Sequence, residues 1–327
     1  MERIILKPTW TILIILGTSN KNKMSSDDNN SETEAADNCC ASCGIAEVDD
    51  IKLKDCDGCD LVRYCSNECK ANHRQDHEAK CKERAAELRD ELLFRQPEST
   101  HLGDCPICCL PLSLSPKKTN MMACCSKVVC IGCSHANKLR QERDNVQRCS
   151  CLFCRHPLPR SQEEADRNLM KRVGANDPVA LTQMGKARSK EGDYDSAFKY
   201  FTKAAKVGDA EAHFNLSGMY MKGEGVEKDY TKEIYHLEEA AIRGHAYARH
   251  HLGLYDGRSG RIERAAKHFT IAAKLGYDDS IQTLKKYYKD GVVSKEDFAA
   301  ALRAHHAAVK AMKSPQREVA EILYAVA

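Results

Sequence analysis

Cysteine is missing from the whole of the chain after Cys154, although 18 cysteines lie between positions 39 and 154. Thiols serving only as small core residues would be scattered more evenly, so this segregation marks a local chemical task. Aromatic residues are also scarce: 6% of 327, with a single tryptophan. The apolar stretch Trp10–Leu16, after Lys7, is far shorter than the roughly 20 residues of a membrane-spanning helix and passes only for a weak signal-like segment. No membrane partner is expected. A glycine-rich phosphate loop and a nucleophile elbow are both absent. Basic residues form no stripe and no run beyond pairs such as Lys117-Lys118, so no nucleic-acid partner is expected.

What is present is thiol in pairs. Hydrophobic residues make up 42% and charged residues 30%, a composition for two or three small globular domains. Repeated C-x2-C pairs favour metal over disulfides, because two thiolates two residues apart can grip one tetrahedral ion. Zinc is the expected cofactor, and a reducing intracellular compartment, cytoplasm or nucleus, follows from it. The formal charge of +3 then misleads: fifteen ligating thiolates and four zinc ions would bring the chain to about −4. Met24 precedes the polar, acidic stretch Ser25–Asn38. Residues 1–38 are therefore expected to be a disordered lead-in, with residues 1–23 an upstream extension of the gene model.

The first ligand string is Cys40-x2-Cys43-x12-Cys56-x2-Cys59-x5-Cys65-x3-Cys69-x7-His77-x3-Cys81. Eight ligands make two tetrahedral sites. Cys65 with Cys69, and His77 with Cys81, have the spacing that shares one helical face. Gly58 lies inside the second pair, where glycine makes a positive φ cheap. The stretch LVRYCSNECKANHRQDHEAKC resembles the ending of the MYND zinc finger, and residues 40–81 resemble that family throughout. The resemblance implies interleaved pairing: Cys40, Cys43, Cys65 and Cys69 on one zinc, and Cys56, Cys59, His77 and Cys81 on the other. MYND fingers that bind proline-rich peptides carry Gln and Trp where this chain has Lys70 and Arg74, so the aromatic floor of a peptide groove is missing. His73 reads as an exposed helix residue, and Cys39 is left without a role. Residues 82–104 read as a helical linker.

A second cluster opens with Asp104-Cys-Pro-Ile-Cys108 and continues through Cys124-Cys125, Cys130-x2-Cys133 and Cys151-x2-Cys154. Residues 105–157 resemble a variant RING finger. That resemblance implies one zinc on Cys105, Cys108, Cys130 and Cys133, and another on Cys124, Cys125, Cys151 and Cys154. Lys127 stands where a common RING has histidine, and adjacent cysteines converge poorly on one ion, so Cys149 or His135 is the alternative to one of them. Cys109 reads as a small buried residue. The family further implies a ubiquitin-conjugating enzyme as partner, touched by Ile107 and Arg155. Against this, Leu152 replaces the usual Pro, and Ser134–Gln147 lacks the usual aromatic contact.

Residues 161–327 read as helical repeats. Ser161-Gln-Glu-Glu164 is a capping box opening a helix that Gly174 should stop. Ala-Ala pairs recur at 204–205, 240–241, 272–273 and 307–308; Met184, Leu216, Leu252 and Leu284 recur in step. Gly208, Gly244 and Gly276 follow the first three pairs, as caps of positive φ. LSGMYMKGEGVEKDYTKEIYHLEEAAIRG and LGLYDGRSGRIERAAKHFTIAAKLG resemble Sel-one-like repeats, relatives of tetratricopeptide repeats, about four units over 177–312. Pro315 should break the last repeat helix, with Glu318–Tyr324 as a capping helix. His245, His250, His251, His305 and His306 lie on separate turns without acidic companions and read as packing or surface residues. Tyr287 and Tyr288 read as packing.

The expected fold class is thus small zinc-stabilised α+β modules followed by an all-α helical-repeat solenoid. The expected function is a zinc-binding adaptor whose concave scaffold takes a protein partner, with four zinc ions, two per module. The alternative is a RING-type ubiquitin ligase that selects substrate through the repeats. No catalytic side chain is assigned; a methyltransferase would need a domain that the repeats leave no room for.

Overall fold

The chain divides into two units, residues 1–85 and 86–327, of which a computed structural model describes residues 39–48, 50–146 and 149–325. The expectations for residues 1–38 lie outside the described residues. Among those residues, no helix is long and apolar enough to cross a membrane.

The first unit has little regular structure. Strands β1 (Lys54–Asp55) and β2 (Arg63–Tyr64) pair antiparallel, Lys54 opposite Tyr64. Helix α1 (Asn67–Asn72) follows, then α2 (Arg74–Phe94) begins. The buried core is Cys40, Leu53 and Tyr64, with Val62, Cys56, Cys65 and Cys69 packed against it. So small an apolar core does not stabilise a fold by itself; metal ligation has to supply the rest.

The second unit begins with the end of α2. The expected helical linker is helical only to Phe94, and residues 95–104 form no helix. Strands β3 (Thr119–Met121) and β4 (Val128–Cys130) pair antiparallel and lead into α3 (Ile131–Arg143). Helices α4 (Gln162–Gly174), α5 (Pro178–Lys190), α6 (Tyr194–Lys206), α7 (Ala210–Lys222), α8 (Tyr230–Ile242), α9 (Ala246–Arg258), α10 (Ile262–Lys274), α11 (Asp278–Lys289), α12 (Lys295–Ala311) and α13 (Pro315–Ala325) complete it. Ser161 caps α4 by accepting the Glu164 N–H, while the Glu164 carboxylate accepts from Arg160 N at 2.9 Å. The helix ends at Gly174 as expected, but the positive φ beyond its end, 54°, is carried by Asn176.

From α5 to α12 the chain stacks helix–turn–helix pairs. Single pairs leave an apolar face open, so each needs its neighbour. The recurring Met184, Leu216, Leu252 and Leu284 are all buried. The residue after three of them covaries with its partner inside the chain. A Cβ on Gly185 would meet the Phe201 ring at 2.6 Å, and one on Gly253 would meet Phe269 at 2.7 Å. In the unit between, Ser217 stands at that position and Leu237 takes the place of the phenylalanine. Gly208, Gly244 and Gly276 close α6, α8 and α10 with φ of 82–87°. The fourth unit departs: Ala307 and Ala308 are not in its core, which is built on Ala301 and His305. Tyr287 packs against Phe269, and Tyr288 stacks on Phe298.

Residues 89–101 lie along this array. Leu93 is fully buried among Leu237, Ala240, Ala241, Ala248 and Leu252, and Phe94 packs on both neighbouring clusters. Arg89 forks onto Glu238 and Glu239 at 2.9 and 2.6 Å. The buried Arg249 guanidinium donates to the carbonyls of Leu93 and Ala241. His101 N–H donates to Gly244 O at 3.1 Å.

Candidate metal centres

In the first unit, Ser66 sets the ligand geometry. Its hydroxyl caps α1 by accepting the Cys69 N–H at 3.2 Å, fixing Cys65 just before the helix and Cys69 one turn into it. The two sulfurs are 3.6 Å apart, and Cys43 Sγ is 3.6 Å from Cys65 Sγ. Cys40 completes a group whose ligand atoms all lie within 4.8 Å of one another. The second group takes Cys56 and Cys59 from the knuckle after β1, and His77 and Cys81 from successive turns of α2. Cys56 Sγ is 3.7 Å from Cys81 Sγ, and Cys59 Sγ is 3.2 Å from His77 Nε2. Arg84 clamps the knuckle to α2 with two bonds to Asp60, at 2.7 and 2.9 Å. Gly58 has no positive φ; a Cβ there would lie 2.8 Å from Cys81 Sγ, so close approach is the reason for glycine.

His73 is not simply exposed. It forms the junction of α1 and α2, its Nδ1 3.0 Å from the Tyr64 hydroxyl and its ring stacked on His77. A cleft of about 620 Å³ opens beside this group, with Lys70, Arg74, Tyr64 and Ala71 in its lining. Lys70 is paired to Asp57 there.

In the segment 105–157, β4 delivers Cys130 and the first turn of α3 delivers Cys133. Cys130 Sγ caps α3 by accepting the Cys133 N–H at 3.4 Å, and Cys105 Sγ accepts from Cys130 N at 3.5 Å. With Cys108, whose sulfur is 3.8 Å from Cys130 Sγ, they form a third group. The fourth is Cys124, Cys125, Cys151 and Cys154. Adjacent cysteines converge because the chain reverses at once. Cys125 and Ser126 N–H groups both donate to Met122 O, and Ser126 takes φ 57°. Cys154 Sγ then lies 3.4 Å from Cys124 Sγ, and Cys151 Sγ 3.9 Å from Cys125 Sγ. His135 lies instead against Tyr324, and Cys149 is not in the group.

Cys109 is exposed, not buried, and turns the knuckle with φ 54°. Ile107 is 43% exposed, and Arg155 is exposed with φ 64°. Gln141 on α3 is 3% exposed and bonds to both backbone groups of Ser150. It accepts the Ser150 N–H at 2.7 Å and donates to Ser150 O at 3.1 Å, which positions Cys151. A lone Gln on a polar helix face carries no signal of this in sequence.

These groups fit zinc. Tetrahedral zinc with bonds of about 2.3 Å to sulfur sets sulfurs about 3.8 Å apart, close to the separations found in each group. No disulfide joins the described cysteines. On a bound zinc, the four protein ligands of each group would close the tetrahedron and leave no position for water or substrate, which is the arrangement of a structural site. The thiols titrate as groups. Burial raises Cys40, but backbone N–H groups of Cys65, Cys43 and Ser42 outweigh it and bring it down to about 6. Its neighbour Cys65 is pushed up to about 12 by sharing hydrogen bonds with Cys43 and Cys69. The Cys40 thiolate thus holds Cys65 protonated until a cation binds. Burial also lowers His77, keeping its ring neutral for ligation.

A fifth group, His101, Glu211 and His245, meets in the second unit. Both Nε2 atoms lie on Glu211 Oε2, at 3.2 and 3.1 Å, and Lys186 Nζ lies on Oε1 at 2.6 Å. His245 Nδ1 accepts the Ala248 N–H at 3.1 Å, so its neutral ring carries the proton on Nε2 and donates it to Glu211. That proton occupies the position a metal would need, and Lys186 already supplies a cation. The group is a hydrogen-bonded clamp. Acidic companions of His245 and of His305, whose Nε2 is 3.1 Å from Asp278, thus exist after all. They come from a neighbouring repeat, which spacing along the chain does not reveal.

A family model of the MYND finger matches residues 40–81, and one of the Sel1 repeat matches residues 178–209, 210–245 and 246–277. Chitin synthase regulatory factor 4 of Schizosaccharomyces pombe is 34% identical over 87 residues, 26% of this chain and 14% of that protein. DAP3-binding cell death enhancer 1 of Mus musculus is 23% identical over 204 residues, 50% of this chain and 40% of that protein. The chain therefore spans less than half the length of these curated relatives. A Sel1 repeat protein from Oxalobacter formigenes, of known crystal structure, aligns at 22% identity and TM-score 0.41, over 56% of this chain and 74% of that one. The chain carries a MYND finger followed by Sel1 repeats.

Proposed function

We propose that this protein is a zinc-binding interaction adaptor holding four zinc ions, two in the finger and two in residues 105–157, with the repeat array as the surface for a protein partner. The observation that carries this reading is the closure of all four cysteine groups. Each offers four protein ligands and no open position, so the metal stabilises modules and does not activate water. Residues 89–101 already cover part of α7 to α10, so the partner face lies on the rest of the array. Exposed Tyr230 on α8, beside Tyr255 of α9, belongs to that remainder. The thiol-based chemistry suits a reducing compartment, cytoplasm or nucleus.

The second reading keeps residues 105–157 as a RING-type module that docks a ubiquitin-conjugating enzyme. What favours it is the exposure of Ile107 and Arg155. One pair of experiments separates the two. Affinity capture with the full chain should retain a defined protein that Tyr230→Ala releases. Autoubiquitination with several conjugating enzymes should stay at background. Transfer that Ile107→Ala and Arg155→Ala abolish would overturn the adaptor reading in favour of the ligase.

A further inference from the structure

Arg317 lies on the last helix of the chain, yet it is 4% exposed, and its guanidinium enters the second cysteine module. One terminal nitrogen donates to Cys108 Sγ at 3.2 Å and to Leu110 O at 3.0 Å. The other donates to Pro111 O at 2.6 Å and Met312 O at 2.7 Å. No carboxylate among the described residues pairs with it. A buried guanidinium is costly without a counter-charge, and carbonyl dipoles answer only part of that cost. The full charge nearby is on sulfur: four thiolates around one divalent zinc carry about −2.

The approach of this helix is built into both partners. Gly132 stands between Cys130 and Cys133, and a Cβ there would lie 2.9–3.0 Å from Arg317 Cγ and backbone. Gln316 Nε2 donates to Gly132 O at 3.0 Å, and Lys118 pairs with Glu321 at 2.8 Å. The terminal helix expected to cap the array is therefore seated on α3, at the cysteine cluster.

We propose that Arg317 is a positioning residue for the metal held by Cys105, Cys108, Cys130 and Cys133. Its guanidinium offsets the charge of the tetrathiolate from outside the ligand shell and withdraws density from Cys108. In return the cluster latches α13, so that retention of this metal and docking of the helix are one event. The inference rests on the reading that this group holds zinc.

The test uses the full chain. Native mass spectrometry first counts zinc, and isotope-coded alkylation with peptide mapping reports which cysteines a chelator uncovers. In Arg317→Met, the cysteines of this cluster should be uncovered about 10- to 100-fold faster, with Cys40 to Cys81 unchanged and Arg317→Lys intermediate. The cobalt-substituted protein should show a shifted thiolate-to-metal absorption in Arg317→Met, which a purely packing role leaves in place. Should that variant fold poorly, hydrogen exchange on the unaltered chain decides: amides of 315–325 should lose protection when the metal is removed. Wild-type metal retention and absorption in Arg317→Met, or a helix still protected after removal, would overturn the latch while leaving the zinc reading intact. Absence of zinc from these four cysteines in the native chain would overturn both.

Discussion

Glu211 Oε2 and His245 Nε2 meet at 3.1 Å although 34 residues separate them in the chain. His245 occupies the N-cap position that Asp177 and Asp209 hold in α5 and α7, each accepting the N–H three residues on, at 3.1 and 2.6 Å. The imidazole does the same for α9 with Nδ1 and uses its other nitrogen to hold Glu211. Burial opposes ionisation of Glu211, but hydrogen bonds from His101 and His245 and the charge of Lys186 hold its carboxyl far below the usual range. Glu211→Ala leaves these donors without their acceptor. Unfolding of the second unit in urea should show a loss of about 2 kcal/mol.

The buried histidines make the second unit acid-sensitive. Burial brings His245 and His236 down to about 4, and it also lowers His213 and His268. A histidine depressed in the folded state binds fewer protons there than in the unfolded chain. Stability is therefore full above the unfolded value, near 6.5, and drains away as pH falls from there toward 4. Melting temperatures taken from pH 7.5 to 4.5 should fall, and His236→Gln should flatten the slope. A flat profile in the unaltered protein would contradict the burial of neutral histidine.

The Gly–Phe and Ser–Leu pairs predict a compensating double change. Gly253→Ala forces a methyl against the Phe269 ring, and overpacking of that kind costs about 1–3 kcal/mol. Phe269→Leu should relieve it, because the preceding unit already packs Ser217 where its counterpart is Leu237. A double-mutant cycle by chemical unfolding measures the coupling; additive effects would show that the ring moves aside freely.

Zinc removal should affect the two units differently. The finger has so little apolar core that chelation should abolish its structure. The repeats contain no cysteine, so their helices should persist, as far-ultraviolet circular dichroism would record. Native mass spectrometry of the full chain should find four zinc ions. Cys125→Ser should lower that number by one, leaving the finger loaded; loss of none would remove Cys125 from the ligand set.

Much of this was legible in the residues themselves. The cysteine spacings pointed to knuckles because two thiolates on one turn converge without help from distant chain. The repeat showed itself because stacked helix pairs bury the same positions, so Leu216 and Leu252 recur in step. The rest depended on contacts that no local pattern encodes. Glycine in the second knuckle could be read for its turn, but Gly58 answers to Cys81, which arrives from α2. Cys109 looked like a core thiol because it is small, and only the turn it occupies exposes it.

Sequence by itself determined which atoms are available to hold metal and which faces must be buried, since both follow from spacing of a few residues along a strand, turn or helix. Tertiary structure alone decided the long-range partners. It brought Leu93 into the repeats, Glu211 to His245, and Arg317 to the sulfur of Cys108. Each of these joins groups far apart in the chain, and burial of charge and polar atoms makes such partners obligatory without saying where along the chain they will be found.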